Sequence, residues 1–179
     1  MLSKENTVFV LVDVQGKLAK IVQDSEKMIL GLKNLIQGLR ILEIPIVWLE
    51  QYPEGLGPTN EELIEHLHGL EPIRKITFDA CKNPDFIEAM EMTGRKQVLV
   101  AGIETHICVF QTATGLMELG YEVQVVADAV SSRTTLNKEI GLEKMKSLGI
   151  HWTSVEMSLY ELMETAEGEQ FKQILKLLK

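Results

Sequence analysis

The chain has little of what marks several protein classes. Its 179 residues include only two cysteines, Cys81 and Cys108, and their separation is not the CxxC spacing of a redox centre or a zinc knuckle. Nothing in their setting recommends a disulfide. Lys and Arg form no cluster and no stripe interleaved with aromatics, and the net charge is −8, which argues against nucleic acid or an anionic membrane as the main partner. The first apolar stretch, Val8 to Val12, is too short for a signal core or a membrane span and is closed by Asp13. A cytoplasmic location is therefore expected. Internal repeats and low-complexity tracts are missing too, and the one Gly/Pro-rich stretch, Tyr52 to Pro58, reads as a mobile loop beside a pocket rather than a domain linker.

What is present is an ordinary soluble composition, 45% apolar and 25% charged, in a length that suits one domain over 1–179. A chain of this size buries roughly 70% of its unfolded surface without staples. Apolar runs of strand length recur at Thr7–Val12, Ile44–Leu49, Gln97–Ala101, Glu122–Val126 and Ile150–Val155, with a weaker extended segment at Pro72–Ile76. Between them lie segments of helical period, such as Met28–Leu42, Val109–Leu119 and Gly141–Leu148; the Ser158-Leu-Tyr-Glu161 pattern predicts a capped start for another helix, and Glu169–Lys179 an amphipathic close. Strands that are apolar throughout, alternating with helices, indicate an α/β fold. The expected architecture is a doubly wound, Rossmann-like, six-stranded parallel sheet in the order 3-2-1-4-5-6, with helices on both faces. Ligands of such sheets bind beyond the carboxyl ends of the strands where the order reverses, here between the first and fourth.

Two chemically capable residues fall at that crevice. Cys108 follows the fourth strand after the break at Gly102; Thr105 can cap a helix whose first turn carries the thiol, and a helix start favours thiolate over thiol. Its competing role is that of a small core residue. Asp13, directly after the first strand, suits a general base for that thiol, against the alternatives of an ordinary loop carboxylate or a phosphoacceptor; the last lacks a nearby second carboxylate for Mg²⁺, since position 15 is Gln. An ammonium after the weak third strand would stabilise thiolate, carboxylate and oxyanion alike, and Lys75 and Arg74 both qualify.

These residues resemble a known family. Asp13-x-Gln15 after the first strand, Lys75 after the third, Gly102-Ile-Glu-Thr-His-Ile-Cys108-Val109 and Val126-Ala-Asp-Ala-Val-Ser-Ser-Arg133 are similar to the isochorismatase-like cysteine hydrolase superfamily, over Asn6 to about Met163. Glu50-Gln-Tyr-Pro53 and Gly55-Leu-Gly-Pro-Thr59 resemble its isochorismatase domain-containing subgroup. The resemblance implies a catalytic triad of Asp13 as base, Lys75 as electrostatic partner and Cys108 as nucleophile. It further implies a non-proline cis peptide at Ile103–Glu104, and an oxyanion hole from the backbone N–H groups of Glu104 and Cys108. Gln15, Tyr52, Phe78, Glu104 and Thr105 are the implied substrate-binding residues. The implied activity is hydrolysis of a C–N, amide-like bond of a small molecule through a Cys thioester. The alternatives are an isochorismatase-type vinyl ether hydrolase and a binding or scaffolding module that keeps the fold. No cofactor and no metal are expected: Trp48 to Thr59 holds no histidine, unlike nicotinamidase relatives, and His66 and His68 read as surface residues. His106 is expected to face solvent or a neighbouring subunit, and Cys81 to be structural. By resemblance the chain is a homo-oligomer, a dimer or tetramer, with the apolar face of the last helix (Phe171, Ile174, Leu175, Leu178) available to an interface or to its own domain.

Overall fold

Six strands carry the fold in this computed structural model, which describes Met1 through Lys179. They are β1 (Thr7–Val12), β2 (Ile46–Gln51), β3 (Ile73–Lys75), β4 (Gln97–Ile103), β5 (Glu122–Ser131) and β6 (His151–Thr153). All neighbours run parallel in the order β3-β2-β1-β4-β5-β6. Every residue of β1, β2 and β4 is buried, as the unbroken apolar sequence requires of strands covered on both faces.

The helices are α1 (Leu18–Ile21), α2 (Ser25–Ile41), α3 (Pro53–Leu56), α4 (Glu61–Ile64), α5 (Pro84–Thr93), α6 (Phe110–Glu118), α7 (Thr135–Ser147), α8 (Val155–Met163) and α9 (Gly168–Leu177). On α2 the buried residues Met28, Ile29, Leu32, Leu35, Ile36 and Leu39 repeat at three and four, so one face meets the core. The last helix buries only Ile174 completely. None of the helices is long and apolar enough to cross a membrane.

Three elements depart from the sequence expectation. The helix expected at Ser158 begins at Val155: Ser154 is the cap, its side chain accepting from Met157 N, while Ser158 lies inside α8 with its hydroxyl donating to Val155 O at 3.0 Å. The fifth strand runs on to Ser131, because a register shift between Val100 and Gly102 lets β5 absorb the residues around Asp128 and pair again at Val130. The Gly/Pro-rich stretch is anchored instead of loose. It contains α3 and is tied to the chain after β1 by Gly16 N to Pro58 O (3.0 Å), Asn60 N to Val14 O (2.8 Å) and a bridge between Gln15 and Thr59.

Candidate active site

The carboxyl ends of β1, β2, β3 and β4 bring a polar cluster together beneath one sulfur. Asp13 leaves β1 with a left-handed backbone (φ 51°), a sharp turn that takes the chain out of the sheet. Lys75 ends β3 directly opposite Gln51 at the end of β2, because the parallel register pairs those two residues. Its ammonium is wholly buried and donates to Asp13 Oδ2 at 2.6 Å, Gln51 Oε1 at 2.7 Å and the Thr77 carbonyl at 3.2 Å. Arg74 points the other way, an exposed side chain 3.6 Å from exposed Glu54. Of the two cations, Lys75 is the one that meets Asp13.

Cys108 sits in a wide single turn, Thr105–Val109, ahead of α6, where Val109 N reaches back five residues to Glu104 O. The peptide bond Ile103–Glu104 is cis. Close approach fixes this turn from two sides. A side chain at Gly102 (φ 124°) would strike Val12 O at 2.0 Å, and one at Gly141 of α7 would lie 2.9 Å from His106 Cα. Cys108 is 7% exposed, and the hydrogen-bond partner of its thiol is Gln51 Oε1 at 3.9 Å.

The electrostatics correct one expectation. The thiol is not held as thiolate by a helix start. Burial pushes Cys108 up to about 12, and the charge of Asp13 adds to the rise against a smaller opposing pull from Lys75. Burial also holds the Asp13 carboxyl above the usual carboxylate range, outweighing Lys75. The Thr105 cap is absent as well: its hydroxyl is buried without a partner, and no side chain caps the turn. Asp13 Oδ1 is likewise buried without a partner.

A cavity of about 90 Å³ is lined by Asp13, Gln51 and Cys108 together with Leu18, Leu56, Phe78, Ile103, Glu104 and Ile107. Of the substrate-binding residues expected from sequence, Phe78 and Glu104 line it. Glu104 is buried and accepts from Arg133 N (2.9 Å) and Arg133 Nε (3.1 Å). Gln15, Tyr52 and Thr105 do not line it. The Gln15 amide is taken up by Gln51 N, Gln51 O and Gly57 O, a brace between the ends of β1 and β2, and the Tyr52 ring lies over Gly55. His106 Nδ1 lies 3.0 Å from Ser132 Oγ, and Cys81 Sγ donates to Thr112 O at 3.8 Å. No group of three or more His, Cys, Asp or Glu is placed to hold a metal ion; His68 meets Arg40 at 3.0 Å.

Sequence reasoning missed Gln51 as a member of the site. Its signal was available in principle: a polar residue ending a central strand next to the reversal point. Only the β2–β3 register places its carbonyl between Lys75 and the thiol.

Comparison with known proteins decides the lineage, since the isochorismatase domain model matches residues 7–157. The chain belongs to the isochorismatase-like hydrolase superfamily. It is 36% identical to isochorismatase domain-containing protein 2 of Danio rerio, covering 99% of this chain and 89% of that protein. Among solved structures it is similar to the MAR1 ribonuclease of Caenorhabditis elegans, with a TM-score of 0.93, 34% identity and 99% and 91% of the two chains covered. It is also similar to YcaC of Pseudomonas aeruginosa with hexane-2,5-diol and covalent acrylamide, with a TM-score of 0.92, 26% identity and 98% and 90% covered.

Proposed function

We propose that this hydrolase cleaves a C–N bond of a small amide with Cys108 as nucleophile, Asp13 as proton acceptor and Lys75 as the group that holds Asp13. One observation carries the reading: Oδ2 of Asp13 is fixed by Lys75 at 2.6 Å, Oδ1 is buried and unpaired, and the Cys108 sulfur beside it faces a cavity. Because the resting group is the thiol, attack and deprotonation go together. The S–H proton passes to Asp13 as sulfur bonds the carbonyl carbon, whose π electrons move to oxygen. The Glu104 N–H donates to no backbone carbonyl; in this reading it and the Cys108 N–H are the donors that stabilise the developing charge. Collapse expels the amine, which takes the proton from Asp13, and a thioester remains. Water then attacks the thioester and gives its proton to Asp13; the acid leaves, and the proton returns to sulfur.

Supporting the nucleophilic reading, the YcaC relative carries covalent acrylamide, an electrophile that adds to thiols. The name of the Caenorhabditis elegans relative does not transfer readily. A net charge of −8 and a cavity of about 90 Å³ suit a polyanionic RNA poorly. Two free thiols fit a reducing compartment, so we place the protein in the cytoplasm. The test is ammonia release from small neutral amides by wild type and Cys108→Ala, with circular dichroism as the check on folding. Turnover by wild type and at least a ~10³-fold loss in the folded variant is expected. Full activity in that variant would remove Cys108 from the chemistry.

A further inference from the structure

An amide-cleaving thiol leaves the acyl group open, and the walls above the sulfur constrain it. Resting on the proposed amidase reading, we infer that the site takes a short, uncharged, apolar acyl group and rejects acyl groups that carry a carboxylate or a long chain. Size is the first argument. The cavity of about 90 Å³ is far below the ~300–1,000 Å³ of pockets for drug-sized ligands, so only a short group fits above the sulfur. The lining is the second: Leu18, Leu56, Phe78, Ile103 and Ile107 offer hydrocarbon to whatever hangs from the carbonyl carbon.

Charge is the third argument. No cation lines the cavity. Lys75 is fully buried, and its ammonium is already engaged by Asp13, Gln51 and the Thr77 carbonyl. Arg133 stands outside the lining, with its Nε committed to Glu104. The ionisable groups on the wall other than the thiol are the carboxylates Asp13 and Glu104. A substrate carboxylate would lose its water there and meet two carboxylates whose cations are already engaged.

Iodoacetamide and iodoacetate test the pocket without requiring turnover, since they are nearly equal in size and differ in charge. Rates of Cys108 alkylation by each, read by peptide mass and divided by their rates on glutathione, are expected to favour the amide by at least ~10-fold. A ratio near one, or preference for the acid, would overturn the inference. Ammonia release from propionamide, hexanamide and succinamate then reads the reaction itself. Propionamide is expected to exceed both others in kcat/KM by at least ~10-fold. Faster turnover of succinamate or hexanamide would overturn the acyl-group inference and leave the thiol hydrolase standing. Amide-selective alkylation with no turnover of any amide would remove the amidase reading and, with it, the substrate assignment, while the neutral selectivity of the pocket would stand.

Discussion

Cys81 and Cys108 flank the same helix, α6, and burial raises both thiols to about 12. Around Cys81 the neighbouring charges are those of Asp79 and Glu118, which add to the rise; the sulfur is half-buried, donates to a carbonyl and packs against Gly115. Around Cys108 a carboxylate exerts the same pressure, but it is organised. Lys75 holds one Asp13 oxygen, the other has no partner, and a cavity gives a carbonyl carbon access to sulfur. Acidity therefore does not separate the two thiols. What separates them is a base with a spare lone pair and room for a substrate, so that the proton leaves as the new bond forms.

Breaking that difference should begin with Asp13. Asp13→Asn keeps size and removes the acceptor, and kcat/KM is expected to fall by about 10²–10⁴-fold, whereas Asp79→Asn beside Cys81 should leave it unchanged. In wild type, protonated Asp13 cannot take the thiol proton, so kcat/KM should fall as pH drops through a pKa above the ordinary carboxylate range, the direction in which burial moves this group. A pH profile with its acid limb at or below that range would contradict the assignment.

Next in size is the buried pair. Lys75→Met strands an anion in the interior and should cost about 3–5 kcal/mol in urea unfolding, since breaking one side of a buried ion pair leaves the other uncompensated. Arg74→Met, one residue away, removes only a contact between exposed side chains and should not shift the midpoint measurably. Equal midpoints for the two variants would deny the Lys75–Asp13 pair its structural role.

The smallest effects come from packing. Gly141→Ala would press a methyl against the His106 and Thr105 backbone, and Gly115→Ala would press one against Asp79 and Cys81 at 2.8–2.9 Å. Both should lose about 1–3 kcal/mol of stability, yet only Gly141→Ala should also slow turnover, because only it displaces the turn that carries Cys108. Comparing thermal midpoints with kcat for the two variants sharpens the contrast. Equal kcat losses would show that the two turns are not functionally distinct.

The sheet was legible because its strands announce themselves: Thr7–Val12 is apolar throughout and buried throughout. The reversal between β1 and β4 followed from that pattern, and Asp13, Lys75 and Cys108 each stand at a strand end or just beyond one. Features decided by contacts distant in sequence were not legible. The state of the Cys108 thiol depends on burial and on Asp13, 95 residues away, and not on the helix start that the local sequence displays. Gln15, a pocket residue by motif, is used instead as a brace for the loop after β2, while Gln51 joins the site through strand register. Ser158 carries a capping pattern that an earlier and better-placed serine pre-empts.

The most direct measurement is acylation by p-nitrophenyl propionate, whose good leaving group lets acyl-enzyme accumulate. The account predicts a burst of one nitrophenolate per chain in wild type, with a single propionyl group mapped by peptide mass to Cys108 and no burst in Asp13→Asn. An adduct on Cys81 or on surface lysines without a burst, or an undiminished burst in Asp13→Asn, would contradict it.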